Sequence, residues 1–372
     1  MKMLAFSAFD TLFFREARPM EAVGGKPLEG RFPPTARSVA GAVRSVVGQS
    51  MGVDWQAYRD GATAQQAVRD IIGAADADGI GVLDLRGPFP MRNRERLYPA
   101  PLHLLHKPEE KKYVRLQPGD VAVACDLGKV YLPSLTESLP GAKPLEHCWL
   151  TANDLVRVLA GSQPQSVVKQ EDMFSAEARL GIALNPGMRS AADGQLYQTV
   201  HSRILPDVEI GVVVDGLPDA VTGNMHQILR LGGEGRFASV ESVQAPPLPL
   251  THKPDKARGL LLMLCTAADF SGGWVLPGFV SQTVAQDATV WSGEIAGVRL
   301  VLRCAVLGKS RREGGWDLQK HRSRAAVSLI PEGSVYFCEV EGDLQHAAQQ
   351  LNGIKIGNET VLGRGELAVG YW

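Results

Sequence analysis

Two arginines three residues apart follow an apolar strand near the start of the chain. The segment FDTLFFREARP places Arg15 and Arg18 directly before Pro19, and AVGGKP follows shortly after. Proline and glycine favour an extended loop over a helix. Guanidinium groups along extended backbone can bind the phosphates of a nucleic acid. They can equally be solubilising charges or partners of nearby glutamates, and the spacing alone leaves both interpretations open.

A glycine-rich turn is a second candidate for anion binding. The sequence LGGEGR contains Gly232, Gly233 and Gly235, and Arg236 follows them. Glycines let backbone amides approach an anion closely, and the arginine adds positive charge. The G-K-[ST] continuation of a nucleotide-binding P-loop is missing, which excludes ATP binding at this turn. The alternative is an ordinary tight turn leading into a strand.

The strongest basic cluster lies in GKSRREGGWDLQKHRSR, towards the C-terminus. Its cationic residues outnumber its two acidic ones, Glu313 and Asp317, and Trp316 and His321 lie among them. Basic and aromatic side chains in alternation suit phosphate contacts combined with base stacking. A solvated loop has the same composition, so this alternative remains open. The cationic residues are Lys309, Arg311, Arg312, Lys320, Arg322 and Arg324.

Two further motifs match a catalytic or a metal-binding pattern, but the surrounding sequence argues against both functions. GQSMG matches the nucleophile pattern around Ser50, but this serine follows a predicted helix instead of a turn from strand to helix. HLLH offers His103 and His106 as metal ligands, but a definite third ligand is lacking. We therefore expect no catalytic residue, no metal and no cofactor in this protein.

Composition limits the partners that the chain can attract. Its 372 residues are enough for two domains, and 39 Lys plus Arg balance 40 Asp plus Glu. No overall positive field exists to attract nucleic acid or a membrane, so an anionic partner must be bound by local clusters. Five scattered cysteines without a C-x-x-C pair indicate reduced thiols. The apolar start ends at Asp10, which is too early for a signal peptide, and a cytoplasmic protein is expected.

The predicted elements alternate between strands and helices. Residues 3 to 9 are predicted as a strand, and a helix follows whose N-terminus Thr35 can cap. Arg37 lies on the face of this helix opposite its apolar stripe. TANDLVRVLAG predicts a second helix, ARLGIALN and the segment after it predict paired strands, and MHQILRL predicts a short helix. From about 50 to 145 the pattern weakens and indicates an irregular insertion.

This order predicts an α+β fold with two ferredoxin-like (RRM-like) domains. Strand, helix, two strands, helix and strand occur in sequence within residues 1–244, with the long insertion at about 50–145. A Pro-rich stretch at 245–257 is predicted as a linker. Residues 258–372 repeat the order incompletely and are predicted as the second domain.

Several of these segments carry a resemblance to a known family. FDTLFFREARP, FPPTARSVAGAVR, LYQTVHSRIL before LRLGGEGRFASV, and GGWDLQKHRSRAAVSLIPEGSVYF occur in this order. Together they resemble the third subunit of the Cmr effector complex, a RAMP-superfamily protein of type III-B CRISPR systems. The resemblance implies two ferredoxin-like domains and a non-catalytic RNA-binding role. Such subunits hold the repeat-derived 5′ handle of the CRISPR RNA and contact the large polymerase-like subunit and a neighbouring backbone RAMP subunit.

The resemblance also implies which residues contact RNA. They are Arg15, Arg18, Arg37, Gly232, Gly233, Gly235, Arg236, Lys320, His321, Arg322 and Arg324. Two alternatives remain. Related RAMP proteins cleave CRISPR precursor RNA without a metal, and the candidates for such acid–base chemistry are His201, Tyr197, His226 and His321. A purely structural module without RNA contact would explain the neutral charge but not the clustered arginines.

Overall fold

The fold belongs to the α+β class, as the sequence predicts. The computed structural model describes residues 2–17, 27–75, 79–184, 187, 190–218, 221, 227–317 and 322–372. Strands far outnumber helices among them. No helix in these ranges is long and apolar enough to cross a membrane. The α-helices are α1 (Ala36–Ser50), α2 (Trp55–Arg59), α3 (Gln66–Ile72), α4 (Ala152–Leu159) and α5 (Leu344–Leu351).

Strands occur in both halves of the described chain. Those of the first half are β1 (Lys2–Ala8), β2 (Thr11–Leu12), β3 (Leu28–Glu29), β4 (Asp84–Arg92), β5 (Glu95–Arg96), β6 (Tyr98–Pro99), β7 (Leu104–Lys107), β8 (Lys112–Cys125), β9 (Gly128–Leu135), β10 (Lys143–Pro144), β11 (Cys148–Leu150), β12 (Val168–Lys169) and β13 (Phe174–Leu184). Those of the second half are β14 (Ala191–Ile204), β15 (Val208–Asp215), β16 (Gln227–Arg230), β17 (Phe237–Gln244), β18 (Leu260–Leu264), β19 (Val280–Val284), β20 (Ala288–Ile295), β21 (Val298–Val306), β22 (Arg311–Glu313), β23 (Trp316–Asp317), β24 (Arg322–Ser323), β25 (Val327–Leu329), β26 (Val335–Val340) and β27 (Leu367–Tyr371).

Residue contacts divide the chain into two compact units that interleave along the sequence. Unit 1 comprises Met1–Arg94, Glu171–Ala245 and Arg312–Val327. Unit 2 comprises Glu95–Gln170, Pro246–Arg311 and Ser328–Trp372. The sequence instead predicts a single boundary at 245–257. Compact units defined by contacts are not the same as domains that fold separately, so the predicted domains stay a prediction.

Unit 1 contains an antiparallel sheet and a hairpin. The sheet order is β16–β17–β1–β15–β4, and α1 lies against β16 and β4. The predicted helix cap is present, because the side chain of Thr35 accepts a hydrogen bond from the amide of Ser38 at 3.3 Å. The predicted pairing of ARLGIALN with the next segment is also present as the β13–β14 hairpin. The short β2 and β3 pair with β14 and so attach the start of the chain to this hairpin.

Unit 2 is built on a long mixed sheet. Its order is β10–β7–β8–β9–β20–β21–β26–β18–β27, and β19 pairs with β20. The central β18 is buried along its whole length, which is typical of a strand that is covered on both faces. Leu262 belongs to a core cluster with the α5 residue Leu351, and Leu261 to a second cluster with the α4 residue Leu155. The two helices therefore cover opposite faces of this sheet.

Two expectations from the sequence differ from the structure. Residues 50–145, predicted as irregular, contain α2, α3, β4 and the long β8–β9 hairpin. Prolines and bulges hide these strands: the β8–β9 register shifts between Pro118 and Ala122, which interrupts the alternation of apolar residues. The predicted helix in MHQILRL is wrong for Gln227–Arg230, which is strand β16, because pairing with β17 overrides local helix propensity.

Candidate nucleic-acid interface

The opening segment, residues 9–17, connects the elements of the candidate site. Phe13 and Phe14 are buried, whereas Arg15 is exposed and forms an isolated β-bridge with Gly30. The amide of Arg31 donates to the carbonyl of Phe14 at 2.9 Å. The buried phenylalanines therefore anchor a backbone whose next side chain, Arg15, faces solvent. Arg18 lies outside the described residues.

The carboxylate of Asp10 lies among three guanidinium groups. Arg179 contacts it at 2.8 Å, and Arg203 and Arg236 contact it at 3.2 Å. Glu177 pairs with two of the same arginines, Arg179 and Arg203. The hydrogen bond from Arg179 is the main reason why the pKa of Asp10 lies below its usual value. We call these three arginines and two carboxylates the Asp10 cluster.

The sequence identified only Arg236 within the Asp10 cluster. Arg179 and Arg203 lie on β13 and β14, and the two strands pair antiparallel next to each other. Neither arginine belongs to a basic run, so local composition gave no signal. Their positions in paired strands could have indicated proximity, but their approach to Asp10 depends on the pairing of β14 with β2.

The glycine-rich turn packs on the opening segment. The amide of Gly233 donates to the carbonyl of Phe13 at 2.8 Å. Gly232 has φ +83°, and a Cβ atom there would lie 2.5 Å from the same carbonyl oxygen. Gly235 also has a positive φ of +63°, but open space surrounds it. Packing and backbone conformation thus explain why position 232 requires glycine. Contact of the turn with an anion stays a prediction.

His201 is buried beneath the opening segment. Its Nδ1 lies 3.0 Å from the hydroxyl of Thr11, its Nε2 lies 3.0 Å from the hydroxyl of Thr199, and its ring stacks on Phe13 with 4.9 Å between centroids. Burial is the main cause that lowers its pKa, and the nearby Arg236 adds to this effect. Each ring nitrogen of His201 lies within hydrogen-bond distance of a threonine hydroxyl group. This arrangement is typical of a structural histidine.

The basic segment contributes a short hairpin, β23–β24, to unit 1. A Cβ atom on Gly315 would lie 3.7 Å from the Cδ atoms of both Arg37 and Arg324, and one on Gly314 would lie 3.3 Å from the Cβ atom of Ala17. Arg31 also reaches this segment, since its Nη1 donates to the carbonyl of Arg312 at 3.5 Å. The hairpin thus lies beside both α1 and the opening segment.

Five arginines and one tryptophan form what we call the basic surface of unit 1. Arg37 lies in the first turn of α1, and Arg322 and Arg324 lie on or beside β24. Trp316 is 57% exposed, which is unusual for a large aromatic side chain. Asp317 contributes negative charge beside them, because its carboxylate lies 3.4 Å from the guanidinium group of Arg324. The surface consists of Arg31, Arg37, Arg312, Arg322, Arg324 and Trp316.

The remaining candidates belong to unit 2 or lie outside the described residues. Lys309 and Arg311 belong to unit 2, and Arg311 pairs with Glu332 at 2.7 Å. The described ranges hold no group of three or more His, Cys, Asp or Glu residues that could bind a metal ion. The candidates outside these ranges are Lys320, His321 and His226.

The fold is similar to that of one chain in a known CRISPR complex. One chain of a type III-B Cmr-beta structure bound to cognate target RNA has a TM-score of 0.51, with 13% identity over 98% of this chain and 96% of that chain. A chain in the Cmr-beta structure with target RNA and AMPPnP has a TM-score of 0.48, with 12% identity over 90% and 86%. A chain of a Csm3–Csm4 subcomplex of the type III-A interference complex has a TM-score of 0.39, with 13% identity over 92% and 94%.

Sequence comparison identifies the family directly. None of the curated proteins matches this chain at a significant level. The family model described as CRISPR-associated protein (Cas_Cmr3) matches residues 4–372, which is nearly the whole chain. The match includes the opening segment, the glycine-rich turn and the basic surface. The chain therefore belongs to the Cas_Cmr3 family of CRISPR-associated proteins.

Proposed function

We propose that this protein is the third, non-catalytic RNA-binding subunit of a type III-B CRISPR effector complex. In this role it holds the repeat-derived 5′ handle of the guide RNA and docks the large polymerase-like subunit and a neighbouring backbone RAMP subunit. The observation that carries the proposal is the basic surface, in which residues far apart in sequence, Arg37 and Arg324, both lie close to Gly315. The exposed Trp316 adds an aromatic face on which a base of single-stranded RNA can stack.

The position of Arg37 supports binding of an anion. The N-terminus of a helix carries partial positive charge, and Arg37 in the first turn of α1 adds to that positive field. A phosphate at this end of α1 would interact favourably with both the helix and the guanidinium group.

The strand order supports two ferredoxin-like folds. In unit 1 the first strand, β1, lies between β15 and β17, and β4 lies beyond β15, while the chain order is β1, α1, β4, β15, β17. In unit 2, β18 lies between β26 and β27, with β21 beyond β26 and α5 between β26 and β27 in the chain. Both arrangements match the βαββαβ pattern in part.

A guide-RNA binding measurement tests the proposal. We expect Arg37→Gln and Arg324→Gln each to weaken binding of guide RNA that carries the 5′ handle, because each removes a cation from the basic surface. Each lost phosphate contact should also reduce the slope of log affinity against log salt by about 0.7, the value for single strands. Arg299→Gln is a matched control, since Arg299 is an exposed arginine of β21 in unit 2. Equal losses for Arg37, Arg324 and Arg299 would contradict the assignment.

The rival function, metal-independent cleavage, needs a separate experiment. Incubation of the purified protein with repeat RNA in EDTA should leave the RNA intact, because both nitrogens of the buried His201 are engaged by Thr11 and Thr199. Cleavage by the wild type that His201→Asn abolishes would overturn the non-catalytic assignment.

Partner docking is supported by apolar side chains on unit 2. Val121, Val123, Leu127 and Leu132 are all exposed on the β8–β9 hairpin, with Val121 at 70%. Leu127 and Leu132 also line a cavity of about 280 Å³ to which Trp274 and Trp291 contribute aromatic walls. Exposed apolar clusters of this kind mark surfaces that a protein partner covers. We call Val121, Val123, Leu127 and Leu132 the hairpin patch.

A further inference from the structure

A row of side chains crosses one edge of the unit 1 sheet. The amide of Phe9 donates to the carbonyl of Phe237 at 3.3 Å, which continues the β1–β17 ladder one residue beyond the pair of Ala8 and Ala238. Arg230 is the partner of Phe237 on its other side, across β16 and β17. Directly opposed residues on paired strands project from the same face, with Cβ atoms about 4.5–5.5 Å apart. Phe9, Phe237 and Arg230 therefore stand side by side, and we call them the aromatic row.

The aromatic row is exposed, whereas the same face of the sheet is buried farther along. Phe9 is 61% and Phe237 44% exposed to solvent. Met3 and Ala5, which alternate onto the same face of β1 as Phe9, are buried in a core cluster with Phe89. Two neighbouring phenylalanine rings at the uncovered end of this face are unusual for a free surface and indicate a binding partner.

The positive charge of Arg230 beside the row favours a nucleic acid as that partner. The guanidinium carbon of Arg230 lies 5.8 Å from the centroid of the Phe237 ring. Asp10 and Arg236 are adjacent in sequence to Phe9 and Phe237, and successive residues of a strand project from opposite faces, so Arg230 is the cation that shares the face of the row. Cationic groups next to exposed aromatic faces suit phosphates and bases at the same time.

We propose that the aromatic row is a stacking platform for bases of single-stranded RNA. The rings of Phe9 and Phe237 contact base faces, and Arg230 contacts an adjoining phosphate. This inference rests on the proposed function as an RNA-binding subunit, and it adds a second contact region distinct from the basic surface. The competing occupant is an apolar side chain of a protein partner.

Binding of labelled guide RNA to the purified full-length protein tests the platform. We expect Phe9→Leu and Phe237→Leu each to weaken binding about fivefold or more, because leucine keeps apolar bulk but lacks an aromatic face. The salt slope should stay unchanged in both variants, whereas Arg230→Gln should lower it by about 0.7. Phe237→Tyr should bind as the wild type does, since tyrosine retains the stacking face.

Two controls separate base stacking from apolar contact and from charge. Ile228→Ala removes an exposed apolar side chain two residue pairs farther along, on the same sheet face, and it should leave RNA binding unchanged. Inorganic polyphosphate offers charge without bases, so its binding should be insensitive to the two leucine substitutions. RNA with 5-iodouridine should photo-crosslink to Phe9 or Phe237 in the wild type.

The outcomes also separate this inference from the proposed function. If the wild-type protein does not bind guide RNA, the proposed function fails and the platform fails with it. If the wild type binds but the leucine variants bind equally well, only the platform is overturned. Equal losses for Ile228→Ala and the leucine variants would identify a general apolar contact and would also overturn it.

Discussion

At the scale of single residues, His103 couples the stability of unit 2 to pH. Its ring is buried with an edge-on contact to Phe337, and no hydrogen-bond partner for its Nδ1 exists in the described part of the chain. Burial, with a smaller contribution from Arg115, lowers its pKa to about 3. In the unfolded chain the pKa is about 6.5. The stabilising effect of the neutral ring is therefore complete above pH 6.5 and is lost progressively as pH falls towards 3.

This linkage predicts a measurable loss of stability in weak acid. Between pH 7 and pH 5, protonation of His103 in the unfolded state should lower the free energy of unfolding by about 2 kcal/mol. His201, whose pKa is also lowered, acts in the same direction. We expect His103→Gln to have a flatter dependence of its urea midpoint on pH than the wild type. Parallel profiles for the two proteins would contradict the prediction.

A buried ion pair in unit 2 gives a second prediction at this scale. The guanidinium group of Arg96 contacts the carboxylate of Glu366 and lies 4.6 Å from the ring centroid of Tyr98. Both charged side chains are almost completely buried. Arg96→Met leaves a buried carboxylate without its cation, which should cost about 3–5 kcal/mol. In thermal denaturation, the double variant Arg96→Met/Glu366→Gln should be clearly more stable than Arg96→Met alone. If it is not, the unpaired carboxylate does not cause the loss of stability in Arg96→Met.

At the scale of elements, the glycine-rich turn offers a matched comparison. Gly232 and Gly235 both have positive φ, so alanine at either position is strained by roughly 1–2 kcal/mol. Only at Gly232 does the new Cβ atom also collide with the carbonyl oxygen of Phe13. We expect Gly232→Ala to destabilise unit 1 clearly more than Gly235→Ala in chemical denaturation. Equal effects would mean that the turn does not press on the opening segment.

Local signals predicted some elements well and others poorly. Thr35 and Thr151 each cap a helix as predicted, because capping depends on a few neighbouring residues. Asp154 fits the capping pattern, yet its carboxylate also accepts from the amide of Gln165, a contact that only the folded loop creates. The strands within 50–145 were missed, since their prolines and bulges disrupt the alternation on which strand prediction relies.

At the scale of the whole molecule, the hairpin patch should control assembly. Leu132→Asp places a charge on an apolar surface and should reduce co-purification with partner subunits by about 30-fold or more, as for an interface hot spot. Binding of guide RNA by the isolated protein should not change. Val361→Asp is the control, because Val361 is 44% exposed on unit 2 but lies outside the hairpin. Equal losses for both variants would contradict a specific role of the patch.

The candidate site could be predicted only in part, because it is assembled over long distances in sequence. Arg324 was identified in the basic segment and Arg37 was assigned from the family resemblance, whereas their approach to Gly315 follows from tertiary packing. Arg31, Arg179 and Arg203 were missed, since an isolated arginine in a strand or loop carries no signal of its neighbours. A net charge of −1 likewise concealed surfaces that are locally basic.

The interleaving of the two units has a consequence for synthesis. Unit 1 includes Arg312–Val327, so a ribosome must translate most of the chain before the basic surface can form. During elongation β1 can pair with β15 and β17, while Gly314 and Gly315 reach Ala17 and Arg37 only later. The nascent protein should therefore acquire its central sheet before it acquires the basic surface. In the proposed function, guide RNA would then bind this surface only when translation is nearly complete.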